Sequence, residues 1–191
     1  SMSSSKRFLP LRPNSSFLVE RTRGMVKSGQ TIVYRGNVCK VKELVRDYRG
    51  GKDYYKLVPV YDDSMTIHTP VATIEDLARP VMSRNEVERL IRRMPDIECA
   101  TAENRTLEHT YKALLESKNH EDLICIIKTA YLRGEEKLNR GQQRNEKDKQ
   151  YFRIAEKTLY NEFAVVLGKS YEDTKAYVVN QLALIDAESA L

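Results

Sequence analysis

The residues that could carry acid–base chemistry are few in this chain, and they lie far apart. Two of the adjacent carboxylate pairs are Asp62-Asp63, before a serine, and Glu121-Asp122, shortly after Asn119. The first pair is typical of a solvated turn. The second is typical of a helix start, where negative charge complements the helix dipole. The chain also lacks a phosphate-binding glycine loop, a nucleophile elbow and a zinc-protease motif. We therefore predict a protein that is not an enzyme.

The cysteines and histidines do not have the spacing of a metal site. They are Cys39, Cys99, Cys125, His68, His109 and His120. The cysteines are too far apart for a metal-binding pair, and their odd number favours buried or free thiols in a reducing cytoplasm. No histidine has a second ligand three or four residues away. The sequence therefore predicts no metal and no other cofactor. It contains no run of 18 apolar residues, so we expect no membrane span and a cytoplasmic location.

Basic residues offer better material for binding. Arg46 and Arg49 precede a Gly-Gly pair, at the end of a stretch with β periodicity. Arginine forms bidentate pairs with carboxylates, and an edge strand offers free backbone groups to a partner strand. A second basic group consists of Arg140, Arg144, Lys147, Lys149 and Arg153. Acidic residues interrupt it, which is typical of a solvated loop, although lysine and arginine side chains are also the usual ligands of phosphate.

The positive charge is unevenly distributed along the chain. The net charge is +5 overall, and residues 1–24 alone carry five Lys or Arg against one Asp or Glu. Residues 25–82 carry nine against seven, and residues 83–191 carry eighteen against nineteen. Residues 1–24 therefore read as a flexible basic arm, in which Ser1-Met2 looks like a cloning remnant. A nearly neutral body predicts that any DNA contact is small, local and assisted by another partner.

The elements that would position these residues begin with a sheet over residues 28–81. Apolar and polar residues alternate there, which places successive side chains on opposite faces of a strand. Glycines within 49–52 and acidic residues within 62–64 predict tight turns. The predicted strands cover residues 31–34, 38–45, 54–61, 65–69 and 77–81. Strands at this spacing predict a small antiparallel sheet that curls into a barrel.

Five helices are predicted after the sheet. Ser83 and Glu86 have capping-box spacing, and Gly168 is placed as a C-terminal stop. Apolar residues recur at helical spacing within each segment. The predicted helices cover about residues 84–94, 103–117, 119–138 and 146–167, and a fifth helix begins after Ser170. Short connections between them predict a compact helical domain over residues 83–191.

The order of these motifs resembles a known family. The motifs are Gly29-x-x-Ile32-Val33-Tyr34, the Gly50 turn, Tyr55-x-Leu57 and Met65-Thr66-Ile67-His68-Thr69-Pro70-Val71. Followed by a helical tail, they resemble the CarD family of bacterial transcription regulators over residues 25–182. The resemblance implies an α+β protein in which a Tudor-like barrel (residues 25–82) binds the RNA polymerase β subunit. The five-helix domain would then lie beside upstream promoter DNA and stabilise the open complex.

The resemblance also implies roles for individual residues. Arg46 matches a polymerase-contacting arginine of the family, and Arg49 and Thr66 lie on the same implied surface. His68 departs from the arginine that some members carry at its position. In the helical domain, Lys112 and Lys149 match DNA-contacting positions, and the implied surface extends to Arg144, Lys147 and Arg153. Family members insert a tryptophan into the minor groove, where an apolar wedge favours the opened duplex. This chain has no tryptophan, and Leu107 falls near the wedge position.

Other interpretations stay open at this point. A Tudor-like module can bind methylated lysine peptides in an aromatic cage, although adjacent Tyr54 and Tyr55 must face opposite ways. The polymerase-binding module of the transcription–repair coupling factor looks similar, but that protein needs helicase motifs. A small enzyme with an unrecognised cleft is a third possibility. The protein is expected as a monomer or as a dimer paired through a sheet edge.

Overall fold

The computed structural model describes residues 26–190, so the predicted basic arm lies outside the described residues. The described part has a sheet module of five antiparallel strands and one helix, followed by a helical module. The strands are β1 (Thr31–Tyr34), β2 (Asn37–Arg49), β3 (Lys52–Pro59), β4 (Ile67–Pro70) and β5 (Ala78–Pro80). The α-helices are α1 (Val71–Leu77), α2 (Arg84–Arg93), α3 (Leu107–Glu116), α4 (His120–Asn139), α5 (Glu146–Leu167) and α6 (Tyr171–Ser189).

The predicted barrel is wrong, because the sheet does not close. The strand order is β4-β3-β2-β1-β5, and β4 and β5 do not pair with each other. Both edge strands are short. The segment between them forms α1, whose Ile74 packs into the small core of the module. A side-chain contact also links β1 to β4 across the curled sheet, since Tyr34 Oη lies 3.2 Å from Thr69 Oγ1. The sheet curls toward closure without acquiring the backbone ladder of a barrel.

The count of five helices is too low by one. The structure has six α-helices in its described part, and the additional one is α1, between β4 and β5. The five others follow the sheet, with a short 3-10 helix, Met94–Asp96, after α2. The predicted capping box is confirmed, because Ser83 Oγ accepts from Glu86 N and the Glu86 carboxylate accepts from Ser83 N. Gly168 ends α5 with φ of +64°, a left-handed conformation that glycine adopts without steric cost.

The two modules have separate cores on either side of the sheet. The sheet module buries Ile32, Tyr34, Cys39, Val41, Leu57 and Ile74 together. Val33 and Val38 are also buried but point to the opposite face, and helix α5 packs against β2. Helix α5 is central to the helical module, where Ala155, Leu159 and Phe163 are fully buried. Because α5 contacts both the sheet and the other helices, it fixes the sheet in position relative to them.

Candidate functional site

Within residues 26–190, the sheet has two unpaired stretches of backbone. Strand β4 pairs only with β3 in the described part of the chain, so its outer side is free. Strand β2 is covered by β1 and the residues before it as far as Lys42, whose carbonyl accepts from Ser28 Oγ. From Glu43 to Arg49, β2 has a neighbour among the described residues only on its β3 side. The β2–β3 hairpin therefore projects with backbone groups available for a further strand.

The two arginines predicted to bind a partner lie at the tip of this hairpin. Arg46 and Arg49 are exposed, and neither makes an ion pair or a side-chain hydrogen bond with any residue between 26 and 190. The register between β2 and β3 is irregular there. Asp47 has φ of +49°, and its N–H donates to Asp53 Oδ1 at 3.0 Å. This irregularity increases the local twist and leaves both guanidinium groups facing solvent.

The other two predicted residues lie on or beside β4. Thr66 is exposed just before the strand, and His68 is exposed on it. The His68 ring stacks on Tyr48, with centroids 4.5 Å apart and planes inclined by 5°. The centroid of the Tyr48 ring in turn lies 5.0 Å from that of the Tyr54 ring, and the two ring planes are inclined by 57°. His68 thus belongs to an aromatic cluster that joins β4 to the tip of the hairpin, close to the two arginines.

The free side of β4 also borders an open groove. The groove has a volume of about 590 Å³ and lies between β4, α1 and the end of β1. Its polar lining includes Arg35, Asn37, His68 and Thr73. Because the groove is open and follows the β4 edge, an incoming extended segment would meet backbone groups and polar side chains together.

Most of the predicted DNA-contacting cations have carboxylate partners. The ion pairs are Lys112–Glu108 at 3.5 Å, Lys147–Glu108 at 3.1 Å, Arg144–Glu135 at 3.2 Å and Lys149–Glu146 at 3.1 Å. The hydrogen bond from Lys147 is the main reason why the pKa of Glu108 is lowered, and Lys112 adds to it. Only Arg153 of the five has no such partner in the described residues. The predicted basic surface is therefore largely neutralised within the chain.

The predicted wedge residue is not at the surface. Leu107 begins α3 and is 1% exposed, packed in the core of the helical module with Tyr111. Its spacing with Tyr111 is that of core residues on one helix face. In this conformation the side chain has no access to a DNA groove.

A buried ion-pair cluster that sequence reasoning missed joins the two modules. Glu162 of α5 is 3% exposed, and its carboxylate accepts two hydrogen bonds from Arg79 of β5, at 2.7 and 2.9 Å. The N–H of Met82 donates to it at 2.9 Å, and His120 Nε2 lies 2.8 Å away. Burial alone would raise the pKa of Glu162, but the hydrogen bonds from Arg79 and His120 hold it at about 2. The partners are distant along the chain, so no local pattern indicates them.

A second buried carboxylate lies inside the helical module. Asp148 is 2% exposed and accepts a hydrogen bond of 2.6 Å from Tyr111 Oη. Arg133 Nε donates to both of its oxygens, at 3.1 and 3.2 Å. Burial is the main cause that raises the pKa of Tyr111, and the bond to Asp148 adds to it. These groups satisfy one another, which is typical of a structural network.

The described part shows neither a metal-binding cluster nor a membrane-spanning helix. Across residues 26–190, no group of three or more His, Cys, Asp and Glu side chains is arranged to hold a metal ion. None of the helices described is long and apolar enough to cross a bilayer. A comparison with models of known protein families and a comparison with curated proteins each returned no match.

Proposed function

We propose that this protein is a non-enzymatic transcription regulator of the cytoplasm that binds the RNA polymerase β subunit. The observation that carries the proposal is the backbone of β4 and of β2 beyond Lys42, which is free among residues 26–190, with Arg46 and Arg49 unpaired beside it in the same residues. An incoming strand would gain backbone hydrogen bonds, and the arginines would select a partner with carboxylates at matching positions. The resemblance to the CarD family supplies the identity of that partner.

The rest of the molecule suits a role in positioning. The cluster around Glu162 and the packing of α5 on β2 hold the helical module in a fixed relation to the sheet. Docking of the sheet would therefore set the helices beside upstream promoter DNA. The neutralised cations near α3 and α5 give weak intrinsic affinity for DNA, and tethering to polymerase compensates through a high effective concentration. In this proposal the bound protein stabilises the open complex.

The test is a pull-down of the full chain with an isolated domain of the polymerase β subunit, the one that the sheet is proposed to bind. We expect Arg46→Glu to weaken binding by about 10-fold, because it removes a charge-assisted pair and adds repulsion. Arg89→Glu is the matched control, since Arg89 is exposed on α2 and has no ion pair in the part of the chain described. The proposal fails if the unmodified protein does not bind the domain, or if both variants behave alike.

A second candidate function is recognition of a methylated lysine peptide. The observation in its favour is the pair of rings Tyr48 and Tyr54, inclined at 57°, which form two walls of a possible cage. One face of Tyr48 is already covered by His68, so the cage lacks free walls on that side. Titration with trimethyllysine peptides distinguishes the two functions. The peptide-binding function would be favoured if the protein binds these peptides, if Tyr48→Ala abolishes that binding, and if the unmodified protein does not bind polymerase.

A further inference from the structure

A basic groove lies away from the docking edge, between the sheet and the helices. It is formed by the corner Val60–Tyr61 after β3, the second half of α5 and the start of α6, and its volume is about 560 Å³. Arg153, Lys157 and Lys169 line it, and none of the Asp or Glu residues in the described range does. Three basic residues therefore line one space whose volume is typical of a small-molecule site.

Among the residues described, these three cations lack the carboxylate partners that Lys112, Arg144, Lys147 and Lys149 have. Within residues 26–190, Arg153 makes no ion pair and no side-chain hydrogen bond, and it is exposed. Lys157 Nζ lies 4.5 Å from the centre of the Tyr61 ring, and Lys169 Nζ lies 5.1 Å from that of Tyr177. Contacts with aromatic rings leave the charge of a lysine available to an anion.

An acid that Lys157 influences, Asp62, already accepts hydrogen bonds from another residue. Asp62 adjoins the corner, and its Oδ1 accepts two hydrogen bonds from Ser64. These bonds are the main reason that the pKa of Asp62 is lowered, and Lys157 adds to the effect. Asp62 does not line the groove, so the groove keeps its positive charge.

The remaining lining suits a ligand that also has an aromatic part. Tyr61 is 39% exposed and presents its ring at the groove, and Asn161 offers an amide with donors and an acceptor. Tyrosine rings stack on nucleobases whatever the base. The N-terminus of α6 adds little attraction for an anion, because Glu172 and Asp173 occupy its first turn.

We propose that this groove binds a free nucleoside di- or triphosphate, with its phosphates against Arg153, Lys157 and Lys169 and its base beside Tyr61. A continuous nucleic-acid strand fits less well, because the nearby cations that would contact its further phosphates are paired with carboxylates. Lys175 is held by Glu156 at 2.9 Å, and Lys149 by Glu146 at 3.1 Å. The proposal does not depend on polymerase docking, since the groove and the sheet edge share no lining residue.

The experiment is calorimetric titration of the full chain with ATP, GTP, adenosine, inorganic phosphate and a single-stranded oligonucleotide. We expect both nucleotides to bind at least 10-fold more tightly than adenosine or phosphate alone. Lys157→Gln should weaken ATP binding by about 10-fold, as expected for loss of one charged hydrogen bond. Arg140→Gln is the matched control, because Arg140 pairs with Glu136 on the surface and lies outside the groove.

The outcomes decide the proposal in both directions. Preserved thermal unfolding of each variant shows that a binding change is local, as expected for exposed side chains. A larger loss for Lys157→Gln than for Arg140→Gln supports the groove, and so does loss of the preference for ATP over phosphate in Tyr61→Leu. Absence of nucleotide binding at millimolar concentration overturns the proposal. Equal weakening by both glutamine variants, or tighter binding of the oligonucleotide than of ATP, also overturns it.

Discussion

Asp148 illustrates how single residues maintain a charge inside this protein. Its carboxylate is buried, and Tyr111 and Arg133 donate three hydrogen bonds to it between 2.6 and 3.2 Å. Arg133 also donates to the backbone carbonyl of Ala102, at 3.2 Å, and so ties the α2–α3 connection to α4. An isolated buried carboxylate is costly, but one with several charge-assisted bonds is retained. The network thus orders a connection that has few buried apolar residues of its own.

Removal of one donor from this network should destabilise the protein measurably. We expect Tyr111→Phe to lower the free energy of unfolding by about 1–3 kcal/mol, because it leaves Asp148 with one bond fewer in a buried site. Tyr151→Phe is the matched control. The Tyr151 ring is buried 5.2 Å from that of Tyr111, and its hydroxyl makes no hydrogen bond within residues 26–190. Urea unfolding at pH 7 measures both variants, and equal effects would contradict the role given to the hydroxyl.

At the scale of elements, helix starts depend on local pairs. Ser83 Oγ accepts from Glu86 N at 3.1 Å, and Ser83 N donates to Glu86 Oε2 at 3.3 Å. Ser83→Ala removes a bond from a backbone N–H that has no partner inside the helix. We expect it to lower the free energy of unfolding by about 1 kcal/mol. Thermal unfolding measures the change, and Ser189→Ala, at the end of α6, should have almost no effect. A loss of similar size in both variants would contradict the capping role.

Elements that depend on contacts between residues close in sequence are predicted from the sequence, whereas those that depend on distant contacts are not. The caps by Ser83, Asn119 and Ser170, the Gly50-Gly51 turn and the stop at Gly168 depend on residues a few positions apart, and the structure has all of them. Closure of the sheet depends on whether β4 reaches β5, which local periodicity does not determine. Helix α1 was missed because its seven residues bury only Ile74, too few for a helical period.

In the candidate site, too, ion pairs between residues close in sequence are predictable and those between separate elements are not. The pairs Lys149–Glu146 and Lys112–Glu108 have helical spacing, so their neutralisation is predictable from the sequence. The second ion pair of Glu108, with Lys147 from another helix, is not predictable from the sequence. That Arg153, Lys157 and Lys169 have no ion pair within residues 26–190 cannot be predicted from the sequence either, because it depends on which carboxylates the fold brings near.

At the scale of the whole molecule, the cluster around Glu162 couples the sheet to the helices. Arg79 belongs to the last strand, Met82 to the connection and His120 to the start of α4, and all three contact one carboxylate of α5. The hydrogen bonds hold the pKa of Glu162 at about 2, below the value of about 4.3 for an unfolded chain. A lowered pKa contributes stability that is fully present above about pH 5 and is lost as pH falls toward 2.

Glu162→Gln should therefore be costly at neutral pH and progressively less costly as pH falls from about 4 toward 2. We expect the variant to unfold with about 3 kcal/mol less free energy than the unmodified protein at pH 7, because Arg79 then faces a neutral amide. The difference should shrink below about pH 4, since Glu162 is then protonated in the unfolded chain, whereas the folded protein keeps its charge until the pH approaches 2. Urea unfolding at pH 7, 5 and 3 measures it. Glu103→Gln, which alters only the exposed pair with Arg105, is the control. A difference that stays constant with pH would mean that side-chain shape, and not charge, holds the two modules together.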